Sequence, residues 1–175
     1  MDTSSRVIPL FLATVVFLVP AAAGASSNDL SRTTAATVER IIDGDTLVVR
    51  GGARVRLVQI DAPESGEECY AAASTRELAR LSPPGSHVVL EADTQLDQVD
   101  RYGRLLRYIH AGGRNVNLEL VRRGAATPWF YDGDRGRYAA QLLAATTAAR
   151  AAPRGMWRAC RVSWSPDGPV TTQPR

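Results

Sequence analysis

Between Val38 and Ile60 the chain makes three short apolar runs in quick succession, separated only by tight-turn residues, which dictates a β-meander. Val38, Ile41 and Ile42 carry the first run, and Asp43-Gly44-Asp45 forms a turn. Thr46-Leu47-Val48-Val49 is the second run, and Gly51-Gly52 a two-residue hairpin turn. Arg54 to Ile60 alternates at first and then becomes mostly apolar, as a third strand does, until Pro63 stops it.

Beyond Pro63 helical and strand periods alternate. A helix is expected from Glu67 to Leu81, with Ser65 and Glu68 as a capping box and Ala72, Ala73, Leu78 and Leu81 facing inward. Ser82-Pro83-Pro84-Gly85 ends it. His87–Glu91 and Leu105–His110 read as the fourth and fifth strands. Asn115 is placed to cap a helix running through Val121, with Gly124 just past its end, and a last helix is expected over Arg137–Ala151, stopped by Pro153. Strands in a cluster, a helix, two more strands and then helices define an α+β fold. Five short strands with a helix after the third match a Greek-key barrel of the OB type.

The N-terminus has a different character. Arg6 precedes an apolar run from Val7 to Val19, Pro20 breaks it, and Ala21, Ala22, Ala23, Gly24 and Ala25 come next. That is the layout of a cleavable signal peptide over residues 1–25, so the protein is expected to be secreted or to reside in the cell envelope. The run is short of the ~20 residues of a comfortable membrane span; an uncleaved anchor is the alternative. No stable membrane association is expected after cleavage. Residues 26–36 read as a flexible lead-in, 37–160 as the domain, and 161–175, rich in Ser, Pro and Gly, as a flexible tail. In an exported chain an even number of cysteines points to a disulfide, here Cys69–Cys160, against the alternative of two separate thiols. Nothing in the sequence demands a second subunit, so a monomer is expected.

Composition adds one chemical fact. The net charge of +3 is modest, but all 21 basic residues are Arg, the side chain that makes forked contacts to phosphate. Three segments concentrate the chemistry. Ile42-Asp43-Gly44-Asp45-Thr46 places two carboxylates at a turn, which is also what an ordinary Asx turn looks like. Arg56-Leu57-Val58-Gln59-Ile60-Asp61-Ala62-Pro63-Glu64 ends an apolar strand in two more carboxylates around a Pro. Asp100-Arg101-Tyr102-Gly103-Arg104 is either a structural Asp–Arg turn or a guanidinium aimed at a phosphate. If the first two segments meet, their carboxylates repel one another and call for a cation; the donors are all oxygen, so a hard ion. His87 and His110 lie in separate strands and are read as packing or surface residues. No Walker, zinc or G-x-S-x-G motif is present.

Taken in order, the three segments resemble the staphylococcal-nuclease (thermonuclease) family: an I-D-G-D-T turn, an R-x-x-x-x-D-x-P-E strand end and a D-x-Y-G-R turn. The stretch Val116–Ala126 and Gly155-Met156-Trp157 also look like later parts of that family, so the resemblance spans roughly Thr37 to Trp157. It implies an OB-fold barrel with three helices and calcium-dependent hydrolysis of DNA and RNA, leaving 3′-phosphates. It implies Asp45, Asp61 and the backbone carbonyl of Ala62 as ligands of Ca2+, with Asp43 reaching the ion through water. Arg56 and Arg104 would bind phosphate, and Glu64 would orient or deprotonate the attacking water. Ala62 stands where the family often has Thr, which a carbonyl ligand tolerates. The alternative is an OB module that binds nucleic acid without cutting it, although the acids and arginines are all present. Two departures stand out. The stretch between Glu64 and Tyr70 is shorter than a mobile loop in the family, and Thr127-Pro128-Trp129-Phe130-Tyr131 replaces a tyrosine-bearing segment. Its aromatics would either stack on a base or cap the barrel.

Overall fold

The computed structural model describes residues 33–66 and 68–175, together with Met1. The expected signal segment and the first part of the lead-in lie outside the described residues, as does Glu67. Strand β1 (Thr33–Ile41) serves two neighbours. Its first half pairs antiparallel with β5 (His87–Glu91), from Thr33 opposite Glu91 to Thr37 opposite His87. Its second half pairs with β2 (Thr46–Val49), with the register breaking between Val38 and Arg40. The strand thus starts at Thr33, within the expected lead-in. Thr33 to Ala36 are half-buried or exposed and are held by backbone pairing to β5, a signal that apolar periodicity does not carry.

Strand β3 (Arg54–Leu57) pairs antiparallel with β2 and runs parallel to β6 (Leu105–Ala111), which pairs antiparallel with β5. The ring β3-β2-β1-β5-β6 closes on itself, giving the expected five-stranded barrel and removing the sheet edges. Leu47, Leu57, Ile60, Ile109 and Leu120 fill it, each fully buried and each contributing about 1.5–3 kcal/mol of transfer free energy.

The third strand is shorter than predicted. It stops at Leu57 because Gln59 adopts a positive φ of 64°, and the chain re-emerges as β4 (Ile60–Asp61). A short β7 (Arg114–Asn115) follows β6, and β4 pairs with β8 (Thr127–Pro128). Three helices flank the barrel: α1 (Ala71–Leu81), α2 (Val116–Arg122) and α3 (Ala139–Ala151). A single turn, α4 (Met156–Ala159), comes after them. Asn115 caps α2 as expected, its side chain accepting from the Leu118 N–H at 3.0 Å, and Gly124 takes the left-handed φ of 67° beyond its end.

Helix α1 begins later than its pattern suggests, and the Ser65–Glu68 capping box does not form. Tyr70, at φ 74°, starts the helix, and the Glu68 carboxylate is engaged elsewhere. The buried face is Ala71, Ser74 and Leu78; Ala72 is exposed. Ser74 can turn inward because its hydroxyl donates to the Ala125 carbonyl at 2.6 Å.

The expected flexible tail is instead an antiparallel hairpin, β9 (Cys160–Ser163) and β10 (Thr171–Pro174). Cys69 and Cys160 are joined in a disulfide, as expected. Val170 and Thr172 are buried, and Val170 packs in a small second core with Met156 and Cys160. Arg150 lies over the rings of Trp157 and Trp164, 5.2 and 5.9 Å from their centroids.

Candidate active site

The site forms where the turn between β1 and β2 meets the end of β4. Gly44 makes that meeting possible: a Cβ there would lie 2.6 Å from the Ala62 side chain and 2.7 Å from that of Ser74. With the backbones so close, the Ala62 N–H donates to Asp45 Oδ2 at 2.9 Å. Asp43 Oδ1 accepts the Asp45 N–H at 3.0 Å, and the Thr46 hydroxyl donates to Asp45 Oδ1 at 2.9 Å. The first two chemistry-bearing segments are therefore one structural unit.

Arg56, only 8% exposed, joins their acids. Its Nε lies 3.1 Å from Asp45 Oδ1, and Nη2 donates to Asp61 Oδ1 at 2.9 Å. Nη1 donates to the carbonyls of Leu57 and Ile60 at 2.8 and 2.7 Å. Of the five N–H groups of a guanidinium, three thus donate hydrogen bonds within the protein and Nε lies in ion-pair contact with Asp45, leaving one N–H on Nη2 for a ligand. The second oxygen of Asp61 accepts the Val170 N–H at 2.9 Å.

Charge is crowded here. Burial pushes the Asp45 carboxyl up to about 7; Arg56 opposes the shift, and Asp43 and Asp61 add to it. Burial likewise raises Asp61 against the pull of Arg56 and the Val170 N–H, with Glu64 and Glu68 contributing. The two buried carboxylates share one guanidinium, so negative charge is in excess. Among the described residues no three His, Cys, Asp or Glu side chains close into a metal cage. The expected convergence of four carboxylates is therefore not seen among the described residues: Asp45 and Asp61 meet at Arg56, and each of their four oxygens faces an N–H, a hydroxyl or the guanidinium.

Glu64 is exposed on the turn after Pro63. Its N–H donates to Glu68 Oε2 at 2.7 Å, and its own carboxylate accepts no hydrogen bond among the described residues. Arg104 is half-buried before β6. Its N–H and Nε donate to Asp100 at 2.9 and 2.6 Å, leaving both Nη groups without a hydrogen bond among the described residues. Burial acts to raise the Asp100 carboxyl, but the hydrogen bonds from Arg104 and Tyr102 outweigh it and hold it below the usual range.

Arg56 and Arg104 line the same cleft, of about 320 Å³, together with Tyr102, Trp129 and Tyr131. Asp45, Asp61 and Glu64 are not among the residues that line it. The aromatic segment divides: Phe130 is fully buried in the core, whereas Trp129 and Tyr131 face the cleft with ring centroids 5.8 Å apart. Tyr102 and Tyr131 are 62% and 61% exposed, so their rings are available to a ligand. Gln59, which the sequence did not single out, builds this wall. It donates to the Asp134 carbonyl at 2.6 Å, accepts the Gly136 N–H at 2.8 Å, and its carbonyl accepts the Trp129 N–H at 3.1 Å. His87 is exposed and His110 bonds Glu91 at 2.6 Å; neither belongs to the site.

A barrel with an acidic corner and an arginine- and aromatic-lined cleft is the framework of a nuclease domain. The chain belongs to the staphylococcal nuclease family: residues 54–159 match the family described as "Staphylococcal nuclease homologue". An uncharacterized endonuclease of Escherichia coli is 38% identical, with 69% of this chain and 74% of that protein covered. Micrococcal nuclease of Shigella flexneri is 37% identical, covering 69% and 71%. Endonuclease YhcR of Bacillus subtilis is 31% identical over 69% of this chain, which spans only 11% of that protein. The domain is thus of the endonuclease class of hydrolases.

Proposed function

We propose that this protein is an exported, calcium-dependent nuclease that hydrolyses phosphodiester bonds in DNA and RNA and leaves 3′-phosphate ends. The observation that carries the reading is the placement of Arg56, which contacts both Asp45 and Asp61 and also lines the cleft with Arg104. Asp45, Asp61 and the Ala62 carbonyl would hold the ion, with Asp43 acting through water. The bound ion supplies fixed positive charge beside the phosphate.

The chain's own residues do the rest. A phosphate in the cleft meets the spare Nη2 N–H of Arg56 and the two Nη groups of Arg104, which stabilise negative charge on its oxygens as the bond to water forms. Glu64 orients that water and takes its proton. The water oxygen bonds to phosphorus while the P–O5′ bond breaks; O5′ leaves and is protonated from solvent. Tyr102, Trp129 and Tyr131 offer ring faces to bases, a contact that tolerates any sequence.

Export is supported by the Val7–Val19 run and the small residues after it, and by a disulfide that suits an oxidising compartment. The chain acts as a monomer. The test of the catalytic reading is Glu64→Gln: turnover should fall by orders of magnitude while the affinity for DNA is kept. Wild-type turnover would remove Glu64 from the mechanism.

A further inference from the structure

Two backbone N–H groups of the C-terminal hairpin donate to carboxylates on the reacting side of the molecule. Val170, 2% exposed, donates its N–H to Asp61 Oδ2. Thr172, 3% exposed, donates its N–H to Glu68 Oε1 at 3.0 Å, while the other oxygen of Glu68 accepts the Glu64 N–H at 2.7 Å. Two further bonds clamp β10 onto the next residue: the Thr172 hydroxyl donates to the Cys69 carbonyl at 2.6 Å, and the Cys69 N–H donates to the Thr172 carbonyl at 3.4 Å. The covalent link from Cys69 to Cys160, where the hairpin starts, fastens the assembly.

We propose that Glu68 is a positioning residue for Glu64, and that the C-terminal hairpin is the support from which it acts. The inference rests on the reading of Glu64 as the residue that prepares the water. A carboxylate with that task must be held to within about an ångström, since a misplacement of that size costs on the order of 100-fold in rate. Glu64 sits on an exposed turn, and among the described residues Glu68 is the side chain that fixes its backbone. Glu68 accepts one backbone N–H on each oxygen, a double role open to a carboxylate and closed to an amide, which has a single acceptor oxygen. The chain Thr172–Glu68–Glu64 therefore makes the hairpin part of the catalytic apparatus.

A double-mutant cycle tests this. Turnover, KM, DNA affinity and thermal unfolding are measured on the calcium-loaded wild type, Glu68→Gln, Glu64→Gln and the double variant, with the disulfide verified by mass. Glu68→Asp, which keeps the charge but shortens the reach, controls for electrostatics. Glu68→Gln and Glu68→Asp should each lower kcat on the order of 10- to 100-fold with KM little changed. In the Glu64→Gln background, Glu68→Gln should cause no further loss, because the residue it positions is already disabled. A full multiplicative loss in that background, an effect confined to KM, or unchanged kcat in Glu68→Gln would overturn the proposal. If Glu64→Gln itself turns over like wild type, the reading of Glu64 fails and this inference falls with it. If Glu64→Gln is inactive but Glu68→Gln is not, only the inference falls.

Discussion

Replacing Arg56 by Met probes the site's electrostatic balance before any substrate is involved. The substitution keeps an unbranched apolar stem and removes the charge that Asp45 and Asp61 share. Both carboxylates are buried, and removing one partner of a buried ion pair costs about 3–5 kcal/mol. The carbonyls of Leu57 and Ile60 also lose their donor, at about 1–3 kcal/mol for each that stays dry. These terms overlap, so a loss of at least about 3 kcal/mol is expected, a large share of the roughly 5–15 kcal/mol that stabilises a typical domain. The assay is urea unfolding in chelator. The loss should depend on pH in a defined sense. Without Arg56 the folded-state pKa values of both acids rise further above those of the unfolded chain. A raised carboxylate pKa makes stability fall as pH rises, so the gap from wild type should be wider at about pH 8, above the value of about 7 for Asp45, than at about pH 5. A loss below about 1 kcal/mol, or a gap that widens as pH falls, would refute this role of Arg56.

Three further outcomes are expected. Replacing Cys69 and Cys160 by Ser opens a loop with a sequence separation of 91, for which chain entropy gives an upper estimate of about 4–5 kcal/mol, read from urea unfolding of the two proteins. Gly44→Ala should destabilise by about 1–3 kcal/mol in the same assay and weaken cation binding, because its Cβ would drive apart the turn and Ala62. Tyr102→Ala and Trp129→Ala should each weaken binding of a short single-stranded oligonucleotide by about 1–3 kcal/mol, measured by fluorescence anisotropy, with little change in thermal stability.

The sequence was most informative where side-chain burial and backbone pairing agree. His87–Glu91 buries Val88 and Leu90 between exposed His87 and Val89 and forms a strand at its predicted bounds. The Asn115 cap and Gly124 were legible for the same reason, since both act on their own helix. The Asp43–Asp45 turn and the Asp61–Glu64 strand end could be paired only through the family resemblance, because their meeting depends on Gly44 fitting against Ala62 across the fold. Contacts made at long range were hidden. Glu68 looks like a capping residue for its own helix but is used by the Glu64 turn and by Thr172. The last fifteen residues read as a tail because their order comes from a disulfide, buried Val170 and Thr172, and backbone bonds to distant acids. Gln59 gave no signal, since its role arises from a left-handed backbone conformation and partners some 75 residues away.

If the acids joined by Arg56 hold a calcium ion that hydrolysis requires, removing the ion must stop the reaction. Digestion of supercoiled plasmid by the protein, run side by side in calcium and in excess chelator, addresses this directly. Rapid cutting with calcium that disappears in chelator and returns on adding calcium back is the expected result. Cutting that continues at the same rate in chelator would contradict it.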